Sequence, residues 1–173
     1  MLFITPCFAY ELCDPDDYSC YNTSLGKVRD LSASESNDGH SYLYLDKKII
    51  YKAKTDYITR DPTEFFFDEK AKKTNKMIFY YYSRSRCTQG VDDYKCHVYL
   101  FVDMTKKEPI VSNEFSPPVE DSHVSWVSWG EKNSIIVFDD DSRFKYENGK
   151  VEMIYGGYVE EQKKLEMEKM KNK

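Results

Sequence analysis

Glycine and proline are scarce, with only 7 and 6 among 173 residues, and this scarcity excludes collagen-like and low-complexity chains. No apolar run approaches the roughly 18 residues that a membrane-spanning helix requires. Basic residues number 25 against 30 acidic ones, which gives a net charge of −5. The chain as a whole therefore lacks the positive field that nucleic acids and anionic membranes attract, and a basic protein partner suits it better.

The motifs of common catalytic and metal sites are also missing. The chain has no Gly-x-Ser-x-Gly, no phosphate-binding or dinucleotide-binding glycine pattern and no His-Glu-x-x-His. Cys96 and His97 are adjacent, but neighbours on a strand point to opposite faces and do not form a nucleophile–base pair. His40, His97 and His123 lack the spacing of zinc ligands, and residues 139–141 lack the pattern of a calcium loop. We expect no enzymatic activity, no metal and no cofactor.

Aromatic side chains, in contrast, are abundant. They make up 16% of the chain, with 15 Tyr and 10 Phe, and exclude disorder for most of its length. The length of 173 residues predicts one domain with a real hydrophobic core. We divide the chain into a signal-peptide remnant at 1–9, a β-domain at 10–155 and a charged C-terminal helix or tail at 156–173.

Residues 1–9 are uncharged and mostly apolar, and they end in the small-x-small pattern Cys7-Phe8-Ala9. They resemble the end of a secretory signal, although the basic region that begins such a signal is missing. An ordinary first strand stopped by Pro6 is the alternative. The resemblance predicts a periplasmic or secreted protein.

Removal of residues 1–9 leaves four cysteines, an even number that is typical of an oxidising compartment. Cys13 and Cys20 bracket one turn-rich segment, and Cys87 and Cys96 bracket another. This spacing favours the local disulfides Cys13–Cys20 and Cys87–Cys96 among the three pairings, and it does not fit zinc ligands. Reduced structural cysteines in a cytosolic protein are the alternative.

Two hairpins are indicated by their turns. Residues 41–45 and 49–53 flank a three-residue loop. Asn148-Gly149 separates two alternating segments and is the strongest short-range hairpin signal, because both turn positions require a positive φ. Asp30 to Asp38, rich in serine and aspartate, is predicted to be a loop.

Two segments, 77–82 and 98–102, are apolar or aromatic on both faces and indicate central strands. Trp126 and Trp129, three residues apart, face opposite sides of a strand, so one is expected in the core and the other at the surface. Eight or nine short strands without intervening helices predict an all-β fold: an antiparallel sandwich, barrel or small propeller-like β-domain with a short C-terminal helix.

An internal period supports the propeller only in part. Segments 41–54, 77–102 and 124–154 each hold a hairpin-like pair and start some 35–47 residues apart, which suits blades. They share no common motif, and a propeller requires about four blades.

After these segments, residues 160–171 are helix-forming, with Glu160 and Lys164 spaced as an i,i+4 ion pair. We predict a solvated terminal helix, with a partner-binding helix as the alternative.

Two segments repeat one pattern, in which two aspartates precede a tyrosine inside an expected disulfide loop. They are Asp16-Asp17-Tyr18 and Asp92-Asp93-Tyr94. Rigid loops lose little entropy on binding, tyrosine supplies contact area, and aspartate pairs with Arg or Lys of a partner. Ordinary stapled surface turns are the alternative interpretation.

These features favour a non-enzymatic binding protein, most simply an inhibitor or immunity-type protein that caps a basic toxin or wall hydrolase. One alternative is a small-ligand or carbohydrate-binding β-module with a pocket that contains several tyrosines. Another is a hydrolase that uses one of three aspartate clusters: Asp16-Asp17, Asp92-Asp93 or residues 139–141. All three clusters lie in turn-rich segments, which disfavours this alternative.

Overall fold

The computed structural model describes Cys13 and residues 19–68, 73–83 and 96–171, with the backbone alone for 62–68. These residues form twelve β-strands followed by one α-helix. The strands are β1 (Cys20–Asn22), β2 (Lys27–Leu31), β3 (Ser41–Leu45), β4 (Lys48–Ala53), β5 (Thr59–Asp68), β6 (Lys73–Tyr82), β7 (His97–Asp103), β8 (Ile110–Val111), β9 (Val124–Trp129), β10 (Asn133–Phe138), β11 (Ser142–Glu147) and β12 (Lys150–Gly156), and the helix is α1 (Gly157–Lys171).

The strands form three sheets, and each sheet is one continuous segment of the chain. Sheet A contains β1 to β4, sheet B contains β5 to β8 and sheet C contains β9 to β12, each with four antiparallel strands. Every strand pairs with its neighbour in sequence, so each sheet is a meander. The all-β fold class predicted from the sequence is confirmed.

Sheet B lies between the other two sheets, and a separate hydrophobic core fills each interface. Phe79 packs with Val28 and Leu43 of sheet A, whereas its neighbour Ile78 packs with Ile136 and Phe144 of sheet C. Successive side chains on a strand point to opposite faces, so one strand serves both cores. This explains the two apolar faces of β6 and β7, and all seven residues of β7 are buried.

The stacked layers have a sandwich-like architecture, and each layer also has the four-strand meander of a propeller blade. Sheets A and B contact each other through β1 and β6, and sheets B and C through β5 and β9. The three segments whose period suited blades lie one in each sheet. The described part of the chain thus contains three blade-like sheets in a row.

Both predicted hairpins are present. Asn148 and Gly149 have φ values of 51° and 86° and connect Glu147 to its partner Lys150. The hairpin of sheet A has a two-residue turn, one residue shorter than predicted, because Lys48 already pairs with Leu45. Its first turn residue, Asp46, has a φ of 51°.

The sequence reasoning missed the first two strands. β2 includes Asp30, which was predicted to begin a loop, and only Val28 of this strand is buried. A short strand with one buried side chain shows little apolar alternation, so the sequence pattern does not reveal it. Its pairing with β1 and β3 in the folded protein defines it as a strand.

The C-terminal helix is solvated, as predicted. α1 has Gly157 as its buried residue, and Leu165 and Met170 are 56% and 70% exposed. The expected ion pair is formed, with 2.6 Å between Lys164 Nζ and Glu160 Oε1. No helix among the described residues combines the length and the hydropathy needed to cross a membrane.

The Cys13–Cys20 disulfide predicted from the sequence is formed, with the two Cα atoms 5.6 Å apart. Cys96 is also disulfide-bonded. Cys87 and residues 1–9 lie outside the described residues, so the Cys87–Cys96 pairing and the signal-peptide remnant stay predictions.

Candidate functional site

The turns of a meander alternate between its two ends, and contacts between sheets show which turns share an end. Sheets A and B meet where Ala33 N donates to Asp56 O at 2.9 Å and Thr55 Oγ1 donates to Tyr82 O at 2.9 Å. The turn before β3, the turn before β5 and the end of β6 therefore lie together.

Sheets B and C meet at the same end. The ring centroids of His97, at the start of β7, and His123, just before β9, are 4.6 Å apart. Asp139 N donates to His123 O at 3.0 Å, and Tyr158 N donates to Asp140 O at 3.1 Å. These bonds add the β10–β11 turn and the start of α1 to the group.

Within this group we define the acidic end as segments 32–40, 54–58, 112–123 and 139–141, with the end of β6 and the start of α1 beside it. Its segments contain nine carboxylates and Lys54 as the single Lys or Arg. The nine are Glu35, Asp38, Asp56, Glu114, Glu120, Asp121, Asp139, Asp140 and Asp141.

The opposite end has no such excess in its described turns, 23–26, 46–47, 104–109, 130–132 and 148–149. They contain three acidic and four basic residues. The turns there also contact one another, since Ser24 Oγ donates to Met104 O at 2.6 Å and the buried Lys76 ammonium donates to Gly130 O. Among the described turns, acidic residues are thus concentrated at one end of the strands.

Asp140 is a buried residue of the acidic end, and its carboxylate accepts hydrogen bonds from two of the turns there. Its side chain is buried, and Oδ1 accepts hydrogen bonds from Ser142 N at 3.0 Å and Ser142 Oγ at 2.6 Å, while Oδ2 accepts one from Val119 N at 3.2 Å. This carboxylate fixes two turns against each other. Its neighbours Asp139 and Asp141 are exposed. The 139–141 cluster therefore combines one structural carboxylate with two that face solvent.

The predicted binding residues of both acidic-aromatic segments lie outside the described residues, namely Asp16, Asp17, Tyr18, Asp92, Asp93 and Tyr94. The ends of these segments are described. Asp30 N donates to Ser19 O at 3.2 Å, and Ser83 N donates to Cys96 O at 3.1 Å. Because β1 and β7 both begin at the acidic end, both predicted segments connect to the fold there.

Models of protein families, curated proteins and solved structures contain no match to this chain. The functional argument therefore rests on the chemistry of its own side chains.

A cluster of rings lies at the base of the acidic end. His97 is 4% exposed, and its ring centroid is 4.7 Å from that of Tyr82, 5.3 Å from Tyr80 and 5.9 Å from Tyr99. The exposed His123 covers it at 4.6 Å. Tyr82 and Tyr99 face His97 because strand register pairs Tyr82 with His97 and Tyr80 with Tyr99.

The His97 imidazole is held in its neutral form. Among the described residues, neither buried ring nitrogen has a hydrogen-bond partner. Burial, together with the nearby His123 and against the opposing effect of Asp121, lowers the pKa of His97 from 6.5 to about 4. Sequence reasoning considered His97 only beside Cys96 and as a zinc ligand. The alternation of Tyr80 and Tyr82 opposite His97 was the available signal, and it required the register of β6 and β7.

This depressed pKa predicts an acid-sensitive stability. The unfolded chain binds a proton below pH 6.5 and the folded chain only below about 4, so stability is fully present above 6.5 and falls with pH between these values. We expect a loss of about 2 kcal/mol between pH 7 and 5. Urea unfolding across this range measures it, and His97→Phe is expected to remove most of the loss. An unchanged pH slope in His97→Phe would contradict the assignment.

The two tryptophans divide as the sequence predicted. Trp129 packs against Phe101 with 5.5 Å between ring centroids, whereas Trp126 is 47% exposed. Trp126 lies beside Val137 on the outer face of sheet C. Trp126 is therefore the tryptophan available for contact.

A cavity of about 110 Å³ opens at the opposite end, between sheets B and C. One tyrosine, Tyr146, lines it together with charged side chains from two turns and two strands, among them Asp103, Lys106 and Glu131. The carbohydrate-binding alternative predicted a pocket with several tyrosines, and the rings of the His97 cluster contact one another instead. Among the described residues no group of three or more His, Cys, Asp or Glu is placed to hold a metal ion.

Proposed function

We propose that this chain is a non-enzymatic, periplasmic or secreted binding protein that caps a basic protein partner with its acidic end, in the manner of an inhibitor or immunity protein. The concentration of nine carboxylates and one lysine in four adjoining segments carries this proposal. A net charge of −5 spread evenly would produce no such field.

The proposed mechanism is electrostatic capture followed by contact with rigid aromatic groups. A concentrated negative potential accelerates encounter with a positive patch and disfavours acidic competitors. Tyr57 and Tyr158 are 39% and 52% exposed at this end and supply amphipathic contact area. Tyr57 is supported by an edge-on contact with Tyr82, with 5.6 Å between ring centroids. Preformed side chains of this kind lose little entropy on binding.

The cysteines support the proposed compartment. Disulfides persist mainly in oxidising environments, and the Cys13–Cys20 bridge attaches Cys13 to the first residue of β1. A binding protein in the periplasm or outside the cell meets basic toxins and wall hydrolases there. This setting is the one in which a rigid acidic surface serves as an inhibitor.

Paired charge variants test the proposal. Asp139→Asn/Asp141→Asn removes two exposed carboxylates from the acidic end, and asparagine tolerates the positive φ of 60° at position 141. We expect the dissociation constant for a basic partner to rise about tenfold at low salt, roughly 1.4 kcal/mol. Glu108→Gln/Glu131→Gln, which removes two carboxylates from the opposite end, is the control and is expected to bind normally.

The measurement uses lysozyme, a basic wall hydrolase, as a defined probe in calorimetry, and an envelope extract of the source cells for affinity purification. A basic protein retained by the wild type and by the control, but released from the acidic-end variant, supports capture at this surface. Equal loss in both variants, or retention of no basic protein at moderate salt, contradicts it.

A further inference from the structure

His97 is a buried polar group that stabilises the fold only while it is neutral. It is 4% exposed, and neither ring nitrogen has a hydrogen-bond partner among the residues that the structure describes. Burying an imidazole in this way is unfavourable, and burying an imidazolium is far more so, because a charge without a partner loses its hydration. The position is thus intolerant of protonation.

Among the described residues, no carboxylate forms a hydrogen bond with His97. β6 contributes the phenols of Tyr80 and Tyr82, and β7 contributes that of Tyr99. The 112–123 segment contributes His123, which repels an imidazolium, and Asp121, whose attraction is the smaller effect. Asp61 of β5 and Asp139 of the β10–β11 turn act on Tyr99 within the same cluster.

The ring cluster around His97 lies beside the backbone hydrogen bonds that connect β6, β7 and segment 112–123, and segment 112–123 is part of the acidic end. Ser83 N donates to Cys96 O at 3.1 Å at the open end of the β6–β7 pair, next to His97. On the other side, Tyr99 and Phe115 exchange two backbone hydrogen bonds of 2.8 and 3.1 Å. These bonds hold segment 112–123 against sheet B, and they lie directly around the imidazole.

We propose that His97 is an acid-operated latch. Its protonation separates the β6–β7 strand pair from segment 112–123 and loosens the acidic end, so that a bound basic protein is released at low pH. The release step rests on the proposed function. The opening step is a property of the fold alone. Together they describe a binding protein that holds its partner near neutral pH and releases it in an acidic compartment.

The size of the effect follows from proton linkage. In the open form His97 titrates near its ordinary value of 6.5, and in the closed form near 4. Acidification from pH 7 to 5 therefore shifts the equilibrium toward the open form by about 20–30-fold. Most of this change occurs between pH 6.5 and 5, where the Asp and Glu side chains are still largely ionised.

Amide hydrogen exchange tests the opening step without any partner. We expect protection of the Ser83 and Phe115 amides, corrected for intrinsic exchange rates, to fall about 20–30-fold between pH 7 and 5. The Asp46 amide, which donates to Lys27 O at 2.7 Å within sheet A, is the internal control and is expected to stay constant. In His97→Phe, or in His97→Gln if that variant does not fold, the fall is expected to disappear. Constant protection in the wild type, or the same fall in the variant, overturns the latch.

Lysozyme binding then tests release. The wild type is expected to bind several-fold more weakly at pH 5 than at pH 7, and His97→Phe to bind equally at both. Binding at pH 7 with the same pH dependence in both proteins overturns the release step and leaves the proposed function intact. Absence of binding at pH 7 contradicts the proposed function itself, and hydrogen exchange alone then decides whether the latch exists.

Discussion

Replacing Asp103 by alanine is expected to lower the free energy of unfolding by about 3–5 kcal/mol, because it strands two buried groups. Tyr146, stacked on Phe101 with 3.9 Å between ring centroids, donates its hydroxyl to Asp103 Oδ2 at 2.9 Å. Lys76 is 1% exposed; burial lowers its pKa, and the negative charge of Asp103 opposes that shift. Without the carboxylate, a buried ammonium loses its compensating charge and a buried phenol loses its acceptor.

The matched variant is Lys76→Met, which removes the charge and keeps a stem of similar volume. It leaves the carbonyls of Gly130 and Glu131 without the ammonium that donates to them. We expect a smaller loss of about 1–2 kcal/mol, because the Asp103 carboxylate that remains keeps its hydrogen bonds from Tyr146 and Thr105. Urea denaturation of both variants and of the double variant measures the difference. Equal losses in the two single variants, or additive losses in the double variant, would show that charge stranding is not the cause.

The strands with strong periodic patterns were predictable from sequence. β7 lies within one residue of its expected bounds and the β11–β12 hairpin turns at the predicted residues, because a two-faced apolar run and an Asn-Gly turn are local signals. β6 begins four residues earlier than predicted, at Lys73. Its first residues include the buried Thr74, Asn75 and Lys76, and polar residues of this kind are read from sequence as exposed.

The acidic end was not predictable, because its charges are far apart in the chain. Asp38 and Asp139 are separated by a hundred residues and belong to sheets A and C, yet both lie in turns at one end of the strands. Only the alternation of turns in stacked meanders brings them together. The sequence did suggest a basic partner from net charge, but it placed the binding residues in two local motifs. Which strand ends meet depends on how the three sheets pack, and no local pattern encodes that.

The role of Glu114 also could not be predicted from the sequence, because it depends on tertiary structure. Glu114 lies in segment 112–123, outside the strands of both sheets, and connects sheet A to sheet B. Its Oε1 accepts hydrogen bonds from Tyr51 of β4 at 2.6 Å and Tyr81 of β6 at 2.8 Å. Burial and the hydrogen bonds with Glu114 and Tyr81 raise the pKa of Tyr51, so the Tyr51 phenol stays protonated as a donor. The preceding residue, Asn113, pairs with both backbone groups of Val151 in β12, at 2.8 and 3.1 Å. Two adjacent side chains thus link all three sheets.

Glu114→Ala is therefore expected to lower the free energy of unfolding by about 2–4 kcal/mol, because two partly or fully buried phenols lose one shared charged acceptor. Glu114→Gln is the matched control, since its amide oxygen still accepts, and we expect it to retain at least half of that stability. Asn113→Ala, which removes two hydrogen bonds on the other side of the link, is expected to reduce stability by about 1–2 kcal/mol. Thermal and urea unfolding measure all three variants.

Because the hydrogen bonds of Glu114 join sheets A and B, hydrogen exchange in Glu114→Ala should increase at Tyr51 and Tyr81 while the β10–β11 pair stays protected. Uniform loss of protection in all three sheets would instead assign Glu114 to the global stability of the fold.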